Sequence, residues 1–232
     1  MTSESRASHE NPSGTADPAS APSAGTPFLR PENDGSGHVE LAAELRRLRG
    51  LVAGSIFTDV HDAVAAVREL SDQLEQAGTP VEPSMFSPWG TPEHLGANPA
   101  IGMRNPVSPP LQPVSFPDGT VRCDLELGIE YQGPPGCVHG GIVALLFDEM
   151  LGLANAAAGS VGMTADLRVS YKSPTPLNAP LRFEAKQVRT EGRKIWTSAT
   201  LHTGDTLCAS TEALFIEPRG IRDEDRHKPI EG

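Results

Sequence analysis

The run Cys137-Val138-His139-Gly140-Gly141 leads into an apolar stretch that carries one carboxylate pair, Asp148-Glu149. Two glycines at a helix start leave backbone N–H groups bare and approachable. Those donors sit at the positive end of the helix dipole, where negative charge is stabilised. A thioester or ester carbonyl on its way to an oxyanion is a natural guest there, and Asp148 is the candidate base.

Helix geometry limits how these groups cooperate. His139 and Asp148 are nine residues apart, about two and a half turns, so their side chains point to roughly opposite sides. The rise from Gly140 to Asp148 is roughly 12 Å. A base must lie within about 3 Å of its proton, or one water away. If both groups act on one carbonyl, a second chain must bring its Asp148 to the first chain's Gly140. A two-fold axis supplies that arrangement, so the expectation is a dimer with two composite sites.

The elements that must position these residues follow from pattern. Residues 139–157 read as a helix that is apolar around most of its surface and must therefore be wrapped. Val121 to Glu130 alternates as a strand does, after the turn signal Pro117-Asp118-Gly119-Thr120. Four further strands are expected at about 163–172, 181–190, 194–203 and 206–216, with Glu191-Gly192 and Gly204-Asp205 as tight turns. Strand, long helix, then antiparallel meander is an α+β pattern. Upstream, residues 1–36 are rich in Ser, Pro, Ala and Gly and are expected to be a disordered tail. Residues 37–78 carry two amphipathic stripes, Leu41, Leu45, Leu48, Val52 and Val60, Val64, Val67, Leu70, Leu74, expected to pack on the core or on each other. Asp59 is the expected N-cap of the second helix and Gly78 its end. A proline-rich connector spans 79–110, with Phe86, Trp89 and Ile101 expected to pin it to the surface. The core domain is placed at 111–218 and a polar tail at 219–232.

These residues carry a family likeness. The chain resembles the hotdog-fold acyl-CoA thioesterases, in particular the PaaI-like group. The resemblance rests on Tyr131-Gln132-Gly133-Pro134-Pro135-Gly136-Cys137-Val138-His139-Gly140-Gly141, on Asp148-Glu149 and on Met163-Thr164-Ala165-Asp166-Leu167. It continues through Tyr171-Lys172-Ser173-Pro174-Thr175-Pro176-Leu177 and Gly192-Arg193-Lys194. It covers roughly 106–217 and implies a central helix wrapped by a curved antiparallel sheet, with acyl-CoA hydrolysed to free acid and CoA. It places the carbonyl-polarising N–H at Gly140 and the base or nucleophile at Asp148. Thr164 orients the attacking water, and Gly141 permits close approach. Gln132 matches a position where some relatives hold water or carbonyl, although it stands seven rather than six residues before the histidine and Pro134-Pro135 intervenes. Lys172, Arg193 and Lys194 are candidates for the CoA phosphates, and Arg168 shares strand parity with Lys172.

Each residue also has a plainer reading. Asp148 reads otherwise as a surface carboxylate or a dimer salt bridge; on so apolar a helix it is expected to be buried, which raises a carboxyl pKa. Glu149, about 100° around the helix, reads as structural and as the alternative base. His139 acts either as a general acid or by fixing the helix start, and the second is favoured. Thr164 is otherwise an ordinary strand residue.

Composition narrows the class. The chain has 232 residues, 38% of them hydrophobic, and a net charge of −11 that argues against nucleic-acid binding. Its three cysteines, Cys123, Cys137 and Cys208, show no CxxC spacing, so neither disulfides nor a metal site are expected and a reducing, cytoplasmic setting is. No apolar signal core stands at the N-terminus. Asp148 and Glu149 interrupt the most membrane-like run, which favours a buried helix over a spanning one. No cofactor is expected beyond the CoA of the substrate, and the expected partner is a second copy, in a dimer or a tetramer. No GxSxG elbow or P-loop is present. Two rivals remain: a hotdog dehydratase or hydratase, which wants a His–carboxylate pair, and a non-catalytic acyl-CoA sensor or scaffold.

Overall fold

The computed structural model describes residues 25–27, 37–80 and 96–219. Three helices stand out: α1 (His38–Gly54), α2 (His61–Ala77) and α3 (Gly140–Ala157). Seven strands, β1 (Thr26–Pro27), β2 (Val114–Ser115), β3 (Thr120–Leu125), β4 (Met163–Tyr171), β5 (Leu181–Glu191), β6 (Lys194–Thr203) and β7 (Thr206–Ile216), form one sheet. Their order is β1-β2-β3-β5-β6-β7-β4, and every pairing is antiparallel.

The sheet wraps α3 because α3 has apolar residues facing most directions. Val143, Leu146, Phe147, Met150, Leu151, Leu153 and Ala154 are all buried. Strand alternation supplies the opposing wall: Val121 and Cys123, then Leu181, Phe183 and Ala185, then Ile195, Ala199 and Leu201, then Ala213 and Phe215. Phe147 meets Phe183 edge to face at 5.2 Å between ring centres. α3 is the one helix among the described residues long and apolar enough to cross a membrane, and half of that stretch is buried inside the protein. Burial pushes the Cys123 thiol up to about 11, so it is a packing group.

Several expectations need correction. β3 ends at Leu125 rather than near Glu130, because its partner β5 begins at Leu181 and leaves nothing to pair with beyond Leu125↔Leu181. A 3-10 turn, Ile129–Tyr131, follows instead. Within the stretch expected to be a disordered tail, Thr26–Pro27 add a strand to the free edge of β2. The packed core reaches back before 111, since Ala100 and Ile101 are fully buried beside Leu111. Ile101 therefore does pin the connector, whereas Phe86 and Trp89 lie outside the described residues. Val60, not Asp59, is the residue preceding α2; Asp59 accepts from the His61 N–H at 2.9 Å one step further out. Gly78 does end the helix, donating to Leu74 O.

The N-terminal stripes do not pack as their periodicity suggests. In α1 only Ala42 is fully buried, and Leu48 and Val52 are exposed. In α2 no residue is buried, so its stripe meets neither the core nor α1. α1 is held by two arginines instead. Arg46 donates to the carbonyls of Ser108, Gly102, Met103 and Asn105. Arg49 donates to Pro106 O, Val107 O and the Tyr131 hydroxyl, and its guanidinium lies 4.9 Å from the Tyr131 ring centre. Bonds from a charged donor contribute about 1.5–3 kcal/mol net each, and removing the donor orphans its acceptors. Arg46→Ala is therefore expected to lower stability by about 2–3 kcal/mol and to expose α1 to proteolysis before the core unfolds. Limited digestion with a parallel thermal melt reads both effects; an α1 cleavage rate equal to that of the parent chain would contradict the anchor.

Candidate active site

α3 starts where the backbone leaves extended geometry at His139 (φ −63°, ψ 132°). The His139 side chain caps the helix: its Nδ1 accepts from the Gly141 N–H at 2.9 Å. A ring nitrogen that accepts carries no proton, so the neutral ring holds its proton on Nε2. The His139 carbonyl accepts from the Ile142 and Val143 N–H groups. Of the first helical donors, the Gly140 N–H alone has no partner among the described residues.

The loop before it is braced from within. Gln132 is exposed, and its Oε1 accepts from the Gly136 N–H at 3.0 Å, so its side chain holds the loop and does not face Gly140. Gly133 packs so closely on His139 that an added Cβ would lie 2.7 Å from its Cα. Val138 N–H donates to Thr175 O and His139 N–H to Tyr131 O, which ties both ends of the glycine–proline loop to the body.

Beside Gly140 an open cleft of about 430 Å³ is lined by Cys137, Val138, Gly140, Val143, Tyr171 and Lys172, among others. That volume lies in the range of small-molecule sites. The sheet's outer face has a further depression of about 300 Å³ lined by residues such as Glu184, Lys186 and Ser198; no candidate residue reaches it.

Asp148 is half-buried, not enclosed, and Oδ1 accepts from the Thr164 hydroxyl at 2.7 Å. That contact depends on a β-bulge. β4 faces α3 with Leu167, Val169 and Tyr171, whose partners Ala213, Thr211 and Ala209 are buried. Strict alternation would put Thr164 on the opposite face with Asp166 and Arg168. The register slips between Thr164 and Asp166, so Ala165 is the extra residue and Thr164 pairs with buried Phe215. The bulge turns the hydroxyl toward the helix.

Burial pushes the Glu149 carboxyl up. Desolvation raises it from its ordinary 4.5, the charge of Asp148 adds to the rise, and a 2.8 Å bond from Asn98 Nδ2 opposes it. Asn98 Oδ1 meanwhile accepts from the Ala100 and Ile101 N–H groups, so this carboxyl locks the connector to α3.

The three candidate cations do not gather in one subunit. Lys172 lines the Gly140 cleft. Arg193 and Lys194 lie at the β5–β6 turn, where Lys194 pairs with Ile216 in the row that includes Met163, and Arg193 Nε donates to Glu217 O at 2.7 Å. That is the Thr164 end of β4, and Lys172 follows its other end. Gly140 and Asp148 are likewise apart: Gly140 lies against Tyr171 and Asp148 against Thr164, with a rise of roughly 12 Å along α3 between them. Tyr171, which the sequence reading quoted only as part of the likeness, donates its hydroxyl to Gly140 O at 2.6 Å.

A single long helix curled into an antiparallel sheet, with a glycine-opened N-terminus facing a cleft, defines the hotdog class. The thioesterase superfamily description matches residues 135–210. A crystal structure of a thioesterase superfamily protein is 35% identical, with a TM-score of 0.75, and covers 85% of this chain and 98% of that one. The chain belongs to the thioesterase superfamily. Acyl-coenzyme A thioesterase THEM4 from Rattus norvegicus is 38% identical over 99 residues, 42% of this chain and 43% of that protein. The Xenopus laevis protein of the same name is 37% identical over 97 residues, 41% and 44% respectively. The chain thus spans less than half the length of these curated relatives. The structural relative reaches well beyond the core, because 85% of 232 residues is about 197 and the interval 111–218 holds 108.

Glu149 provides a pH signature. Its folded pKa lies above its unfolded one, so its contribution to stability is complete below about 4.5 and is lost as pH rises through the folded value. Glu149→Gln keeps an acceptor for Asn98 and removes the charge. Its melting temperature should match the parent's near pH 4 and exceed it by a few degrees at pH 8. A gap that shrinks as pH rises would refute the sign, and retained catalysis in this variant would remove Glu149 as a base.

Proposed function

We propose that the protein hydrolyses acyl-CoA thioesters to free acid and CoA at two composite sites of a homodimer. The observation that carries this reading is the pair of side-chain ties along β4. Thr164 to Asp148 stands at one end of the strand and Tyr171 to Gly140 at the other. β4 is the last strand of the sheet, and among the described residues no strand pairs with its outer edge. A two-fold axis at Arg168 sets two such edges antiparallel. Leu167 then faces the partner's Val169, Asp166 faces the partner's Ser170 and, across the bulge, Thr164 faces the partner's Tyr171. Every pair so formed shares a face, as antiparallel neighbours must. Each Asp148 thereby comes to the end of the sheet where the partner's Gly140 N–H opens into its cleft.

The chemistry follows. The thioester carbonyl accepts from the Gly140 N–H at the positive end of α3. Asp148 of the other subunit takes a proton from water, which Thr164 holds, as the water oxygen bonds to the carbonyl carbon. The C–S bond then breaks, and the thiolate leaves as CoA after taking up that proton. Direct attack by Asp148, with a transient anhydride hydrolysed afterwards, uses the same groups. Lys172 of one subunit and Arg193 and Lys194 of the other converge on one end of the paired sheet and suit the CoA phosphates. The curated relatives that are named acyl-CoA thioesterases support the substrate class. The free thiols of Cys123, Cys137 and Cys208 accord with a reducing, cytoplasmic setting.

Release of free thiol across acyl-CoAs of graded chain length tests the activity. Binding of acyl-CoA without turnover would replace the enzyme by a sensor. Asp148→Ala should lower turnover by at least about 100-fold, the low end for a general base. Thr164→Val, which removes only the hydroxyl, should cost about tenfold, the scale of one charge-assisted bond. A mixing experiment tests the composite site. Asp148→Ala and Gly140→Val are each inactive alone. After mixed refolding, heterodimers carry one intact site, and about a quarter of parental activity returns under random pairing. No recovery despite heterodimer formation would place both groups within one subunit's site and refute the arrangement.

A further inference from the structure

We propose that Tyr171 is a positioning residue that aims the Gly140 N–H, by pinning the peptide unit between Gly140 and Gly141. This rests on the reading of Gly140 as the carbonyl-polarising donor. Two consecutive glycines have the widest conformational freedom of any pair, and in the first turn no helix ladder restrains their N–H groups. A donor held so loosely is a poor oxyanion partner, because preorganisation is what gives such donors their effect.

The structure removes that freedom at both ends of a single peptide plane. Its oxygen, Gly140 O, accepts from the Tyr171 hydroxyl at 2.6 Å. Its N–H, on Gly141, donates to His139 Nδ1 at 2.9 Å. The preceding plane is held by its own oxygen, because His139 O accepts from both Ile142 and Val143. With three of the four groups on these two planes engaged, the remaining one, the Gly140 N–H, has a fixed direction. His139 and Tyr171 therefore act as opposite jaws on one plane.

The phenol lies close along residue 140. An added Cβ would lie 3.2 Å from the Tyr171 hydroxyl oxygen, 3.3 Å from Cζ and 3.4 Å from Cε1. The ring lies along the bare Cα, and a side chain there would have to push the phenol back by a few tenths of an ångström. Glycine at 140 thus suits both approach of a substrate and the clamp. Tyr171 is more than half exposed, so core packing does not account for it. Its place on the α3-facing side of β4 follows from the register that pairs it with buried Ala209.

Tyr171→Phe removes the hydroxyl and keeps the ring. In the full-length protein we expect kcat to fall about tenfold, less than the 10²–10³ for deleting an oxyanion donor outright, with KM within about twofold. The Gly141 amide resonance should shift, and its exchange should quicken by at least about fivefold, the scale of one neutral hydrogen bond. His139→Ala should act in the same direction, and the double variant should lose less than the product of the two single losses, because both jaws hold one plane. A Tyr171→Phe enzyme with parental kcat, an unchanged Gly141 amide, or strictly multiplicative losses would each overturn the proposal. If the parent protein releases no thiol from any acyl-CoA, the proposed function fails on its own, and the Gly141 amide of Tyr171→Phe still decides whether the clamp exists.

Discussion

The structure depends on how α3 is attached to the strand at the sheet's open edge. The apolar faces of α3 are satisfied by the curved sheet, but burial has no direction and would tolerate a helix slid along its axis. Two hydrogen bonds to β4 remove that tolerance: Thr164 to Asp148 and Tyr171 to Gly140. They set the helix antiparallel to the edge strand and place Gly140 and Asp148 at opposite ends of that strand. Everything proposed about the site is a consequence of this attachment. Within one subunit donor and carboxylate stay apart; the proposed two-fold axis is what would bring them together.

A one-residue irregularity makes the attachment work. Ala165 is the bulge that lets Thr164 and Tyr171 share the inner face despite an odd sequence separation. Between them, Leu167 and Val169 still pack on the core, and Asp166 and Arg168 pair with each other outside. Bulges next to active sites re-aim side chains at small cost in pairing, and this one aims the hydroxyl that holds Asp148.

Much of this was legible in the sequence. The glycine pair after His139 marked where α3 starts, and Gly192 and Gly204, both at positive φ, marked the turns of the meander. The limit Gly140 and Asp148 impose on each other came from helix rise alone. What stayed hidden was relational. Alternation assigns Thr164 to the wrong face unless the bulge is known, and bulges leave no mark in a pattern of types. The bond that holds Glu149 comes from Asn98, fifty-one residues upstream, a contact no local window contains. The stripes drew attention to the leucines of α1, yet Arg46 and Arg49 are the residues that reach a cluster of turn carbonyls and hold the helix to the body. The α2 stripe shows the converse: clear periodicity with no covering surface among the described residues.

The sheet's two ends are built differently. At one end, β4 has nine residues with no further strand beside them among the described residues; at the other, β1 is two residues long and one of them is Pro27, which lacks an amide hydrogen. Among the described residues, the proposed meeting of two β4 edges would leave a short, proline-bearing strand at each outer border of the joined sheet. A border of two residues, one of them a proline, offers little for a further copy to extend, so an association of the proposed kind would close at two.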